Sequence, residues 1–371
     1  MENRIIEIKD FGTLKYNYKI DPNIKYNIVS IVLFKMKNSY KNFKSYINGL
    51  FEIKKYYKKY LPNFVIRLYY DKSVINDKYF IKLYKLYNES GEQLIEYDCP
   101  DYKDGIFHKG TFGTIIRYIS YFNFKNNDTN IVYTYDADAA KNMYPFKYKA
   151  YNLKKFINSN AKFFRTYWIC HNPEYILNQK NFILGSGNAS KIKFPLKLLI
   201  NFIKNAYKIK ELFPILYKKV IKNKKQNDPI FFYGIDEFFL STIIKKYLDK
   251  HKIKYMTYIK PDYQSLYDSL NKRIFHKSIT NINKYIYNEI IKLINKKFNK
   301  NFKNINELFY YVGEDIDYER KTDKHKIYEY FRKIIISLHH KYKKELNINQ
   351  YDCLVKIDKY YDETNQLVIT N

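Results

Sequence analysis

The run Tyr133-Thr134-Tyr135-Asp136-Ala137-Asp138-Ala139 places two carboxylates, separated by one small residue, directly after an apolar, β-rich stretch. At the carboxyl end of a strand such a pair can face the crevice where α/β sheets bind ligands. Two hard oxygen donors at this spacing suit Mn²⁺ or Mg²⁺, which phosphate oxygens help to coordinate. Arg117 lies 19 residues before Asp136, in His108-Lys109-Gly110-Thr111-Phe112-Gly113-Thr114-Ile115-Ile116-Arg117. A helix starting near Thr111 would carry Thr114 and Arg117 at helical spacing, and arginine offers a planar fork for phosphate or sugar oxygens. A second acidic pair, Asp236-Glu237, follows Tyr233-Gly234. Acids there serve as a helix cap and first-turn charge, or as a general base beside a pocket.

The chain has only 10 Gly and 9 Pro in 371 residues, so each glycine has a raised chance of meeting a backbone need. Six glycines fall in three stretches: Gly105, Gly110 and Gly113; Gly185 and Gly187 in Gly-Ser-Gly-Asn; and Gly234. Each stretch also carries polar functional groups, which is expected if three loops surround one site.

The elements that must position these residues alternate between β and α. Strands are expected at Asn27–Phe34, Phe64–Tyr70, Gln93–Tyr97, Ile131–Tyr135, Ala161–Cys170, Pro229–Tyr233 and Ile253–Ile259. Helices are expected at Ser39–Tyr60 (closed by Pro62), Asp77–Tyr87, Gly110–Phe122, Phe194–Leu216 and Asp236–Tyr247. Ile221–Asn227 has the character of a solvated basic segment. Residues 1–25 show no strong period. Residues 261–346 are mostly helical in pattern and very basic, and Cys353–Ile357 alternates. This order predicts an α/β mixed sheet flanked by helices over residues 1–260 and a basic helical extension over 261–371. The extension is either a solvated cover or a contact with anionic membrane.

Lys+Arg number 67 and Asp+Glu 37, a net charge of +30, yet only seven of the cations are arginine. Such a charge attracts nucleotides, anionic headgroups or RNA, whereas a lysine coat written by a biased genome needs no partner. Aromatics make up 19% of the chain, mostly Tyr, and composition does not separate core packing from stacking on sugars or bases. Cys99, Cys170 and Cys353 form no CxxC clamp and the seven histidines form no HExxH, against a zinc enzyme or a disulfide framework. No membrane-length apolar run or signal-peptide pattern is present, so a cytoplasmic or membrane-peripheral location is expected, host cytoplasm included. Trp168, the single tryptophan, is either core or a face for a sugar ring.

The order Arg117, strand, Asp136-x-Asp138, strand, Gly234-Ile235-Asp236-Glu237 resembles nucleotide-sugar-dependent glycosyltransferases of the GT-A (Rossmann-like) fold, including those of large DNA viruses. The resemblance covers roughly residues 25–260. It implies transfer of a sugar from a nucleotide-sugar donor to a glycan, glycolipid or protein acceptor, with no specific nucleic acid. It implies a metal held by Asp136 and Asp138, with His276 or His251 as a third ligand. It also implies Phe34, Lys37 and Asp71 around the nucleoside, Arg117 and Gly185 at the donor, and Asp236 or Glu237 as the acceptor's base. In a retaining reaction that acid would only orient hydroxyls. A metal-dependent nucleotidyltransferase and a basic RNA-binding protein remain alternatives. The first is suggested by Asp136-x-Asp138 and the charge of +30; the Gly-Ser pair of that class, here Gly185-Ser186, comes after the carboxylates, which is the wrong order.

Overall fold

The computed structural model describes residues 4–18, 21, 23–37, 42–125, 127–137, 150, 152–167, 182–206, 208, 211, 230–259, 280–304, 307–308, 311, 323, 326–327, 330–331, 334 and 367–370. Asp138, Trp168, Ile221–Asn227, His276 and Cys353–Ile357 lie outside them. The chain divides into two compact units. One comprises Met1–Tyr167, Asn172–Ile259 and Leu367–Asn371; the other comprises Trp168–His171 and Lys260–Gln366.

The first unit opens with a hairpin, β1 (Arg4–Ile8) and β2 (Gly12–Tyr16), then β3 (Tyr26–Leu33), α1 (Phe43–Tyr60), β4 (Val65–Tyr70), α2 (Lys78–Glu89) and β5 (Gln93–Asp98). A small ribbon, β6 (Lys103–Asp104) and β7 (Phe107–His108), leads to α3 (Gly113–Ile116), a 3-10 turn (Ile119–Tyr121) and β8 (Phe122–Asn123). β9 (Thr129–Thr134), β10 (Phe163–Tyr167), β11 (Ala189–Ser190) and β12 (Phe194–Pro195) follow, then α4 (Leu196–Ala206) and α5 (Ile235–Phe239). A π-helical turn (Leu240–Ile244), α6 (Lys245–Lys250), β13 (Tyr255–Ile259) and β14 (Leu367–Thr370) complete it.

Ten strands make one mixed sheet in the order β1-β2-β5-β4-β3-β9-β11-β10-β13-β14. β5, β4, β3 and β9 run parallel, so their carboxyl ends share one edge. The chain moves outward from β3 to β4 and β5, then returns to pair β9 on the other side of β3. That reversal opens a crevice between neighbouring strand ends, here after β3 and β9.

The continuous apolar run of β3 is explained by burial on both faces. Val29, Ile31 and Leu33 pack with Leu50 and Ile53 of α1 and Phe80 and Leu83 of α2. Ile28 and Val32 belong to the opposite core with Ile115, Phe202 and Phe238. Helix starts follow ordinary capping: the Asn42 side chain accepts from the Lys44 N–H, and that of Asp77 from the N–H groups of Tyr79 and Phe80. Ten of the twelve largest fully buried side chains are tyrosines, so much of the tyrosine content serves the core.

Several expected elements differ. Residues 4–16 form a hairpin in which Ile6, Ile8, Leu14 and Tyr16 point inward. The 110–122 helix is reduced to α3 and a 3-10 turn. The long helix expected from Phe194 begins at Leu196, and its described part ends at Ala206. Ile230–Tyr233 is not a strand: Phe231 and Phe232 are buried in an irregular turn whose carbonyls accept from Thr111. The terminal strand β14 pairs with β13 in the first unit, inside the range expected to be extension.

In the second unit, α7 (Thr280–Phe298) is the longest described element. Asn295 closes its end by exchanging two hydrogen bonds of 2.9 Å with the Phe302 backbone. Among the described residues no helix is long and apolar enough to cross a membrane.

Candidate active site

Arg117 follows α3 and is fixed to the centre of the sheet, because Ser30 of β3 donates its hydroxyl to the Arg117 carbonyl at 2.6 Å. The Arg117 side chain is buried, and its fork reaches two carboxylates. One Nη donates to Asp136, just beyond β9, and the other to Asp236, in the first turn of α5. Its Nε donates to the Tyr118 hydroxyl at 3.1 Å, and that hydroxyl donates to the Gly185 carbonyl. Acids 100 residues apart in sequence therefore share one guanidinium at the carboxyl edge.

The Gly185–Asn188 loop supplies the third side. The Asn188 carbonyl accepts from the Thr134 N–H at 2.8 Å, and the Gly187 N–H donates back to Thr134, so the loop runs beside the end of β9. The Asp136 N–H then donates to the Ser186 hydroxyl at 3.2 Å, and the Gly185 N–H to Glu237 Oε1 at 3.0 Å. A Cβ on Gly185 would stand 2.7 Å from Asp236 Oδ2 and 3.0 Å from Arg117 Nη2. Only the absence of a side chain lets this backbone approach so closely.

Gly234 holds a left-handed conformation (φ 92°) at the start of α5, and the next residue but one is Asp236. The turn is tied down by Thr111, whose N–H donates to the Phe231 carbonyl at 2.7 Å and whose hydroxyl donates to that of Phe232 at 2.7 Å. Residues of the Gly185 and Gly234 stretches thus meet around Arg117, and Thr111 of the first stretch braces the turn before Gly234.

Burial raises the Asp236 carboxyl above the usual carboxylate range; Arg117 opposes this, while Glu237 and Asp136 add to it. Burial works against charge on Arg117, but Tyr118, Asp136 and Asp236 together hold its proton well above the ordinary range. Asp236 is almost enclosed, whereas the Asp136 side chain is 38% exposed and forms the open side of the cluster. The chemistry available is proton transfer at a carboxylate of raised proton affinity, next to a fixed cation.

The remaining expected site residues lie apart. Phe34, just beyond β3, packs its ring against His108 and over Gly113, where a Cβ would stand 2.6 Å away. Asp71 ends β4, two strands from β9, or roughly 10 Å at ordinary strand spacing. It is fully buried, 3.1 Å from His108 Nε2 and bonded to Ser73. Lys37 is exposed and pairs with Asp104 at 3.5 Å. His251 ends α6 and packs on Tyr247. Arg117 was expected to touch donor; here it joins two acids. Tyr118 is not singled out by the sequence, and Ser186 enters there only through the pair Gly185-Ser186. Ser186 lies within Gly-Ser-Gly-Asn, a usable signal, whereas Tyr118 is one of 43 tyrosines with nothing to mark it.

Among the described residues no three His, Cys, Asp or Glu side chains could hold a metal. Of the expected ligands Asp136 and His251 are described, and Arg117 already occupies one oxygen of Asp136. No protein-family model, curated protein or solved structure matches this chain.

Proposed function

We propose that this chain is a glycosyltransferase of GT-A type, moving a sugar from a nucleotide-sugar donor to a hydroxyl of a glycan, glycolipid or protein. The observation that carries this reading is the single guanidinium of Arg117 joining Asp136 to Asp236 at the reversal of the sheet. In the reaction the acceptor oxygen bonds to the anomeric carbon and the bond to the nucleoside diphosphate breaks, its electron pair leaving with the phosphate. Asp236 or Glu237 takes the acceptor proton in an inverting course. The raised proton affinity of Asp236 suits that task. Arg117 holds Asp136 and Asp236 in fixed positions at the strand ends where the donor would bind. The net charge of +30 favours arrival of an anionic donor.

The described residues do not by themselves make a metal shell, so no step here runs through a metal. Dependence on Mn²⁺ or Mg²⁺ at Asp136-x-Asp138 is part of the proposal and enters the test as a variable. Nucleotidyl transfer is the second reading. It is favoured by Ser186 lying against the Asp136 backbone, although the pair Gly185-Ser186 is distant in sequence.

The test is a screen of UDP- and GDP-sugars for binding and slow hydrolysis, with and without Mn²⁺, beside nucleoside triphosphates assayed for pyrophosphate release. Free sugar and nucleoside diphosphate are expected. Asp236→Asn and Glu237→Gln, made separately, should give one loss of about 100-fold in transfer with donor binding retained. Pyrophosphate release alone would select the second reading, and normal transfer by both variants would reduce the acid pair to first-turn charge of α5.

A further inference from the structure

The outward face of α2 is built differently from the rest of the described surface. Eight large apolar side chains are exposed among the described residues, and three of them, Ile75, Ile81 and Leu86, fall in α2 and the turn that leads into it. Ile81 is 55% exposed, and Ile75 and Leu86 are 36% each. Lys78, Lys82 and Lys85 are exposed among them. At about 100° per residue, Ile81, Lys85, Lys78, Lys82 and Leu86 occupy an arc of about 140°, with the apolar pair at its two margins. Phe80, Leu83 and Tyr87 take the opposite arc and are buried.

The acids of this segment do little to offset the lysines. Asp77 is turned inward, capping α2 and holding Lys35 at 2.7 Å. Glu89 stands 3.9 Å from Lys85 in a highly exposed pair, worth little in water. Neighbouring α1, which packs on α2, adds exposed Lys55, Lys58 and Lys59. Apolar side chains at the margins of a cationic stripe match a bilayer surface, where the lysines meet anionic headgroups and the apolar ends enter the acyl boundary.

We infer that the α2 face, from Ile75 to Leu86, docks the protein on an anionic phospholipid surface. The turn bearing Ile75 leaves the carboxyl end of β4, so this face reaches the same edge of the sheet as the Arg117 cluster. Docking would bring that edge toward the membrane. This last consequence rests on the proposed transfer reaction, whereas the docking itself does not.

The test is co-sedimentation of the full chain with phosphatidylcholine vesicles, with and without phosphatidylserine, across a salt series. The parent protein should bind only the phosphatidylserine vesicles and weaken as salt rises. Ile81→Ser with Leu86→Ser should lower binding about tenfold, most clearly at high salt where the apolar contribution persists. Lys82→Glu with Lys85→Glu should abolish the preference for phosphatidylserine. Lys292→Glu with Lys296→Glu, on α7, should leave binding near that of the parent. An equal loss from the α7 pair would make the attraction diffuse and overturn the inference. So would full binding by the Ile81/Leu86 variant, or binding to single-stranded RNA without any binding to vesicles. Loss of docking with sugar transfer intact in solution, or the reverse, separates this inference from the proposed reaction.

Discussion

Arg67 and Arg117 are both buried and both paired to aspartate, yet their surroundings differ. Arg67, in β4, has no exposed surface and meets one acid, Asp128, at 2.8 Å. Its other contacts are neutral: Gln93 Oε1 at 2.7 Å from Nε, and the Tyr18 hydroxyl at 2.7 Å from Nη2. Charge is matched one to one, and Asp128 is itself buried. Arg117 instead meets two carboxylates, with Glu237 beside them, and Asp136 is partly open to water. A closed pair with no exposed surface organises a core; the Arg117 cluster joins two carboxylates, one of which keeps a side open to water. The difference separates two arginines that look alike in a lysine-rich sequence.

Breaking the closed pair should have the largest effect. Arg67→Ala leaves Asp128 buried without its cation, at a cost of about 3–5 kcal/mol, read from urea unfolding. An unchanged midpoint would mean that the pair is idle. At the open cluster the expected loss is in turnover instead of folding. Gly185→Ala drives a methyl toward the movable end of Asp236, so we expect about 100-fold slower transfer with the fold retained. If transfer persists while stability collapses, the Gly185 approach belongs to folding alone.

The smallest effect sharpens the comparison from the closed side. Lys193 donates to the Ser120 carbonyl at 2.8 Å, and burial, with Arg67 nearby, pushes its amine down to about 7 against the opposing pull of Asp128. Between that value and the usual lysine range the unfolded chain binds the extra proton, so stability should rise with pH across this window. The slope is at most about 1.4 kcal/mol per pH unit. Lys193→Met should flatten it in urea unfolding at pH 7, 8 and 9; an unaltered slope would show that Lys193 stays charged.

Much of the sheet was legible because buried parallel strands announce themselves as apolar runs; β3, β4 and β9 lie within a residue or two of their expected bounds. The first hairpin was hidden by Ile5, which is 63% exposed and breaks the alternation of Ile6 and Ile8. Ile230–Tyr233 misled for the opposite reason: consecutive aromatics were buried by a turn, where no strand period applies. At the site, the carboxylates and glycines stood out because few residue types can do their work. The bridging geometry of Arg117 was not legible, since it depends on long-range packing that brings α5 against the end of β9. Tyr118 was lost among residues of its own kind.

That abundance of core tyrosine has a spectroscopic consequence. Burial holds the phenols of Tyr87, Tyr97, Tyr118 and Tyr133 protonated well beyond the ordinary range. In an alkaline ultraviolet titration the solvent-facing tyrosines will turn to tyrosinate first, smoothly and reversibly. The interior set will change colour only as the chain opens, in one abrupt step. The protein thus carries its own chromophore for unfolding, without any label and without its single tryptophan.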